Sequence, residues 1–317
     1  MRRTDVTTPP EGAFVELQDL IALRFPAKQL KLTRRKRALS MLAGPNTSNF
    51  RSRGIDFEEV RSYQPGDDVR TIDWRVTART GSAHTKVFRE EKERPLLVVV
   101  DQRNSMFFGS THCFKSVLAA HLASLVAWSA LDAGDRVGGL VFNGEESREV
   151  PPRRSRKNVL GVLSEIARYN AALPLTSAST TEKPQESFGD MLKNLRRVAR
   201  PGTRVFLISD FAGATDERAK QELFELAKHT ELVALACADP LEAQLPQAGT
   251  YAVTNGQARS ELHTADKQLR QQYALSYQQQ REGLGEMLLR RGVPLIEAST
   301  AQAPYSVLQT YYGDTRR

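Results

Sequence analysis

The sequence has few of the residues that build disulfide frameworks or membrane spans. Its 317 residues include two cysteines, Cys113 and Cys237, which are too few for a disulfide framework or a cysteine-rich zinc site. Their scarcity fits a reducing compartment. The longest apolar stretch, 117–131, is interrupted by His121 and several serines and is shorter than the roughly 20 residues that a membrane-spanning helix needs. The opening residues lack the apolar region of a secretory signal. We therefore expect a cytoplasmic protein without a membrane span.

The motifs of several common enzyme classes are also missing from the sequence. The chain has no G-x-x-x-x-G-K-[ST] loop for nucleotide phosphates, no G-x-S-x-G nucleophile turn and no H-E-x-x-H zinc motif. Its five histidines are scattered without the spacing of metal ligands. We therefore expect a protein that is not an enzyme and has no catalytic residues.

Positive charge is concentrated at the start of the chain. The net charge is +8, and residues 1–94 contain 19 basic and 13 acidic residues, so they carry +6 of that total. The densest run is Lys31–Arg37, with five cations in seven positions. Such a run can bind nucleic acid, anionic lipid or an acidic protein, or it can be a solvated helix face. Because no interleaved aromatic residues and no helix-turn-helix or RNP signature accompany it, we expect no nucleic-acid binding.

After residue 94, apolar runs alternate with amphipathic segments. The continuous run Leu96–Val100 is typical of a strand buried on both faces. The predicted strands are 96–100, 136–142, 148–150, 204–209, 231–237, 250–253 and 293–296, and the predicted helices are 14–25, 113–131, 157–169, 188–199, 217–229 and 266–291. This alternation predicts an α/β fold with a doubly wound, mostly parallel sheet of the Rossmann type. We assign it to residues 95–300, preceded by a smaller N-terminal α+β appendage at 1–94 and followed by a C-terminal tail at 301–317.

Two carboxylates follow predicted strands directly. Asp101 comes after the run 96–100, and Asp210 comes after the run 204–209. Because the carboxyl ends of parallel strands meet at one edge of the sheet, both aspartates and Ser105 can face one point. Oxygen ligands of this kind suit Mg²⁺ or Mn²⁺. Alternatively, both aspartates cap the helices that follow them and bind loop amides.

The stretch 53–81 contains a distinctive string, Tyr-Gln-Pro-Gly-Asp-Asp-Val-Arg-Thr-Ile-Asp-Trp at 63–74. It resembles the signature of domain-of-unknown-function family 58 (DUF58), bacterial proteins with a von Willebrand factor A-like domain that are typically encoded beside MoxR-type AAA+ ATPases. The resemblance extends through 86–91 into the strand before Asp101 and, in outline, to the end of the α/β part. Its signature residues here are Tyr63, Pro65, Gly66, Asp67, Asp68, Arg70, Asp73, Trp74 and Arg79. The resemblance implies a von Willebrand factor A-like fold. We also expect the segment 63–81 to pack against the α/β domain with Trp74 buried.

The resemblance also implies a site. A-type domains often carry a metal-ion-dependent adhesion site with the pattern Asp-x-Ser-x-Ser, completed by a later aspartate and a threonine. Asp101 matches the first position, Ser105 the last serine and Asp210 the later aspartate, while Arg103 stands where the pattern has a serine. The threonine has no identifiable counterpart. We therefore expect a degenerate site with no cofactor or weakly bound Mg²⁺, in which Arg103 pairs with an aspartate and occupies or blocks the cation position.

These observations favour a non-enzymatic protein-interaction module. The resemblance implies a MoxR-type AAA+ ATPase as partner, and another A-domain protein as a further partner, in the assembly or activation of other proteins. We expect the partner to contact the strand-end residues Asp101, Arg103, Ser105 and Asp210. Two alternatives remain open: a metal-dependent hydrolase that uses the strand-end aspartates, and nucleic-acid binding through the basic N-terminal segment.

Overall fold

The computed structural model describes residues 6–32, 60–63, 74–86, 94–178, 186–254 and 259–313. The chain divides into two compact units, one of residues 1–45 with 94–317 and one of residues 46–93. The strands are β1 (Val60–Ser62), β2 (His84–Lys86), β3 (Pro95–Asp101), β4 (Arg136–Phe142), β5 (Ser147–Arg153), β6 (Arg204–Ser209), β7 (Glu231–Ala238), β8 (Thr250–Thr254), β9 (Arg259–His263) and β10 (Leu295–Ser299). The helices are α1 (Leu17–Ala22), α2 (Arg24–Ala27), α3 (Trp74–Thr80), α4 (Lys115–Asp132), α5 (Arg156–Ala178), α6 (Phe188–Val198), α7 (Glu217–His229), α8 (Pro240–Ala243), α9 (Lys267–Leu289) and α10 (Pro304–Tyr312).

The larger unit is built on a six-stranded sheet in the order β10-β7-β6-β3-β4-β5. Neighbouring strands run parallel except for β4 and β5, which are antiparallel. The prediction of a doubly wound, mostly parallel sheet is confirmed. From β3 the chain winds to one side through β4 and β5, and from β6 it winds to the other side through β7 and β10. The order therefore reverses between β3 and β6, and ligands of open α/β sheets bind outside the carboxyl ends of the strands at such a point.

Helices cover both faces of this sheet. Alternate residues of β3 point to opposite faces: Leu96 and Val98 pack in the core on the α4 and α5 side, and Leu97 and Val99 pack in the core on the α6 and α7 side. Because each strand residue is buried on one side or the other, the sequence of β3 is apolar without interruption. In the described parts of the chain, no helix is both long enough and apolar enough to cross a bilayer.

The unit with the sheet extends beyond the predicted limits of 95 and 300. The backbone carbonyl of Leu20 accepts hydrogen bonds from Ser124 Oγ at 2.6 Å and Trp128 Nε1 at 3.1 Å, both on α4. Residues 304–312 form α10, and the Tyr312 carbonyl accepts a hydrogen bond from the Lys31 amide at 2.7 Å. The physical reason is that α4 is buried from residue 115 to residue 130, so its outer side also needs a cover. The segments at both ends of the chain provide it.

The smaller unit contains the antiparallel pair of β1 and β2, with α3 between them in the chain. Its strands are joined further by the Tyr63 amide, which donates to the Ala83 carbonyl at 2.8 Å. The expectation that Trp74 is buried is wrong, because its side chain is 69% exposed at the start of α3. Of the family signature, Tyr63, Trp74 and Arg79 are described; Pro65, Gly66, Asp67, Asp68, Arg70 and Asp73 lie outside the described residues, as do residues 33–37 of the basic run.

The packing of the N-terminal segment on α4 is testable by a leucine truncation. Leu20 is fully buried, so Leu20→Ala is expected to lower the free energy of unfolding by about 3 kcal/mol, as for other buried leucines. Leu275→Ala on α9 is the matched control, because Leu275 is 58% exposed. Urea denaturation followed by circular dichroism measures both. An equal midpoint for Leu20→Ala and the wild type would contradict this packing.

Candidate functional site

The candidate site lies where the order of strands reverses. Asp101 is the last residue of β3. Ser209 is the last residue of the neighbouring β6, and Asp210 directly follows it. The turn after β6 is tight: the Phe211 amide donates to Ser209 Oγ at 2.9 Å, and the Ala212 amide donates to Asp210 Oδ1 at 3.0 Å. Phe211 has a φ of 60°, a left-handed conformation that is unusual for a bulky residue. The turn therefore holds the Asp210 carboxylate beside the end of β3.

Asp101 is fully buried and binds Arg103, two residues further along the chain. The guanidinium contacts it with both Nε, at 3.1 Å from each carboxylate oxygen, and Nη2, at 2.7 Å from Oδ2. The Arg103 amide donates to Oδ1 at 2.9 Å, and Ser209 Oγ donates to Oδ2 at 2.7 Å. The predicted pairing of Arg103 with a site aspartate is therefore present, in the forked geometry that a planar guanidinium favours.

Arg103 also reaches across to the β6 side of the site. Its Nη2 donates to the Ala212 carbonyl at 3.1 Å and lies 3.7 Å from Asp210 Oδ1. Its guanidinium carbon is 4.9 Å from the centre of the Phe188 ring and 5.9 Å from that of Phe142. These rings exclude water from one part of the guanidinium and favour its charge. One side chain thus spans the space between the two aspartates.

A second cation completes the site. Lys115, the first residue of α4, has a side chain that is 2% exposed, and its Nζ lies 3.0 Å from Asp210 Oδ2 and 2.5 Å from Glu242 Oε1. Sequence reasoning missed both Lys115 and Glu242. A lysine in the first turn opposes the helix dipole, so its position was a signal that a carboxylate lies nearby. Glu242 gives no such signal, because only the fold brings α8 next to α4.

Burial and charge act against each other in this cluster. Burial alone raises the pKa of Asp210, but the Lys115 charge and the Ala212 amide outweigh it, so the pKa lies below its usual value. Burial lowers the pKa of Lys115, and the charges of Asp210 and Glu242 reverse that effect, so the pKa is raised. At Asp101, burial and the Asp210 charge raise the pKa more than Arg103 and Ser209 lower it, so the pKa lies above its usual value. The Asp210–Lys115 pair is therefore ionised at neutral pH.

Two of the residues predicted to contact a partner differ in exposure. Asp101 lies at the end of β3, as predicted, and is fully buried, so its contact with a partner stays a prediction. Ser105 lies exposed in the 3₁₀ turn Asn104–Met106, and no hydrogen bond described at the site joins it to either aspartate. The structure thus brings together Asp101, Arg103 and Asp210, and leaves Ser105 at the surface.

The side chains of this site do not fit a divalent cation. Asp101 accepts from Arg103 and Ser209, and Asp210 accepts from Lys115 and the Ala212 amide, so the carboxylate oxygens already have cationic or hydrogen-bond donors. A metal ion placed between them would also meet the Arg103 guanidinium. Across the described residues, no group of three or more histidine, cysteine, aspartate or glutamate side chains has the arrangement of a metal site.

Comparison with known proteins identifies the family. Residues 59–283 match the family model described as "Protein of unknown function DUF58". The chain belongs to this family. A relative, the uncharacterized protein Rv1480 of Mycobacterium tuberculosis, is 28% identical over 277 residues, which cover 86% of this chain and 83% of that protein. Protein YeaD of Bacillus subtilis is 27% identical over 125 residues, covering 39% of this chain and 29% of that protein.

Two solved structures show a distant likeness. A conserved hypothetical protein, BatB from Bacteroides thetaiotaomicron, matches 62% of this chain and 98% of its own chain at a TM-score of 0.35 and 15% identity. The SpRpn10 VWA domain matches 68% of this chain and 94% of its own at a TM-score of 0.37 and 8% identity. Likenesses at this level say nothing about function.

The prediction about metal binding follows from the paired carboxylates. Because Arg103 and Lys115 already pair with the two aspartates, we expect the chelator-treated wild-type protein to show no sub-millimolar binding of Mg²⁺ or Mn²⁺. Isothermal titration calorimetry measures this directly. Sub-millimolar binding that disappears in Asp210→Asn would show that the aspartates hold an ion in spite of the two cations.

A second prediction concerns the stability of the buried pair. Asp101→Asn leaves the Arg103 guanidinium with a neutral partner in a buried place, so we expect a loss of about 3 kcal/mol in unfolding free energy. The control is Glu225→Gln, which breaks an exposed pair with Lys228 on α7 and should leave the stability unchanged. Denaturant titration of the three proteins tests the difference. Equal stability of Asp101→Asn and Glu225→Gln would mean that the pair does not support the site.

Proposed function

We propose that this protein is a non-enzymatic, von Willebrand factor A-like interaction module whose partner contacts the sheet edge at Arg103. The proposal rests on one observation: the Arg103 side chain is held in place and is still partly exposed. It is fixed by Asp101, the Ala212 carbonyl and two aromatic rings, yet 16% of its surface remains exposed. Arginines held in this way are frequent anchors of protein interfaces.

Arg103 has donors to offer a partner. Its Nε and Nη2 are used within the site, whereas no hydrogen bond from Nη1 is described. A guanidinium carries two N–H groups on this nitrogen, which can bind a carbonyl or carboxylate oxygen. Because the rest of the side chain is already ordered, a partner would bind it with little loss of side-chain entropy.

The same contacts argue against a hydrolase. A catalytic carboxylate needs either a substrate proton or an ion within reach, and both aspartates here are occupied by tethered cations. Ser209 Oγ donates to Asp101, but this serine is fully buried and its oxygen also accepts from the Phe211 amide, so it is not placed to attack a substrate. A protein-interaction module, in contrast, needs no metal ion or nucleophile at the site.

For the partner, we propose a MoxR-type AAA+ ATPase, which membership of DUF58 supports, and a second A-domain protein as a further component. In this proposal the protein acts with the ATPase in the assembly or activation of other proteins, in the cytoplasm. The contact surface is the end of the sheet around Arg103 and Asp210.

The test is a binding measurement with the MoxR-type ATPase of the same genome. Arg103→Gln is expected to weaken binding about tenfold or more, as for other interface arginines, and Arg103→Lys, which keeps the charge but not the fork, to fall in between. Arg290→Gln is the control, because this arginine lies at the end of α9 with its side chain 78% exposed. Biolayer interferometry gives the affinities, and circular dichroism confirms folding. Wild-type affinity in folded Arg103→Gln would refute the proposed contact.

A further inference from the structure

We propose that Arg103 and Lys115 jointly replace a divalent cation, and that the crevice is a latent metal site that opens only when both side chains are removed. The inference concerns this chain's own residues and does not depend on any partner. It differs from the expectation drawn from the sequence, in which Arg103 alone decided whether an ion binds.

The charges of the two aspartates need compensation. Asp101 is fully buried and the Asp210 side chain is 8% exposed, so two negative charges lie close together with little water to screen them. Such a pair needs about two compensating positive charges. A divalent ion would supply both at one point. Here two side chains supply one each, and both are largely buried: Arg103 is 16% exposed and Lys115 is 2% exposed. Lys115 also binds Glu242, whose side chain is more exposed, at 25%, and whose charge water therefore screens better.

The two cations bind different oxygens of the aspartates. Nη2 of Arg103 lies 2.7 Å from Asp101 Oδ2 and 3.7 Å from Asp210 Oδ1, so this nitrogen occupies the space between the carboxylates. Lys115 Nζ binds the other oxygen of Asp210, at 3.0 Å. The two cations therefore have different roles. Arg103 fills the space where an ion would sit, and Lys115 neutralises Asp210 by binding its Oδ2.

Loss of one cation alone does not open a position for an ion. Removing Arg103 alone empties the space between the carboxylates, but Asp210 stays paired with Lys115, which weakens the attraction for an ion. Removing Lys115 alone leaves the space filled by Nη2. Only the loss of both leaves two unpaired carboxylates around an open position, with water completing the coordination as Mg²⁺ and Mn²⁺ require.

The experiment compares four proteins: the wild type, Arg103→Ser, Lys115→Met and the double variant. The serine adds a hydroxyl oxygen two residues after Asp101, and the methionine keeps the apolar bulk of the lysine stem. Each chelator-treated protein is titrated with Mn²⁺ by calorimetry. We expect sub-millimolar binding of one Mn²⁺ by the double variant, and binding at least about tenfold weaker by the other three. Binding should disappear when Asp210→Asn is added to the double variant, because that change removes a ligand.

Thermal unfolding provides a second readout. The double variant leaves two buried carboxylates unpaired, so its melting temperature is expected to fall without metal and to rise on adding Mn²⁺, whereas the wild type should not respond. Sub-millimolar binding by Arg103→Ser alone would overturn the role of Lys115. A folded double variant that binds no Mn²⁺ would overturn the latent site. A double variant that stays unfolded with Mn²⁺ present would also contradict it, because an ion in the latent site would neutralise the two aspartates.

Discussion

The structure of the site depends on one constraint: two carboxylates are buried side by side where the sheet reverses its order. Asp101 is the last residue of β3 and Asp210 directly follows β6. Because these strands are parallel neighbours in the sheet, the two aspartates lie close together. Their mutual repulsion in a poorly hydrated crevice has to be offset locally. That requirement accounts for the folded-back Arg103 and for the buried lysine at the start of α4.

The need for charge compensation also organises the neighbouring loops. Lys115 binds Glu242, whose other oxygen accepts from the Asp239 amide in the capping box of α8. Asp239 in turn accepts from Ser110 Oγ before α4 and from Thr300 Oγ1 after β10. Loops that follow β3, β7 and β10 are thereby joined through polar side chains with satisfied hydrogen bonds. Networks of this kind rigidify a region, because each member would be costly to leave unpaired.

Sequence patterns were sufficient for the sheet and for part of the site. Apolar runs located the central strands, and the aspartates at their ends followed from chain order. The Arg103–Asp101 pair could be expected because the two residues are two positions apart. Lys115 and Glu242 could not be expected to meet, because they are 127 positions apart and only helix packing joins them. The apolar stretch 117–131 indicated that α4 is buried on all sides, but it could not show that the segments before residue 95 and after residue 300 provide the cover.

The pairing of the two aspartates with Arg103 and Lys115 affects how a partner protein could bind at this site. A metal offers open coordination positions and depends on the supply of the ion, whereas a guanidinium is permanently charged and offers N–H donors in fixed directions. The three carboxylates of the cluster slightly outnumber its two cations, so a partner gains little from net charge at this point. Specific binding at Arg103 would therefore depend on hydrogen-bond geometry and on the packing of the surrounding loops, and it would vary less with salt than a contact between surfaces of opposite charge.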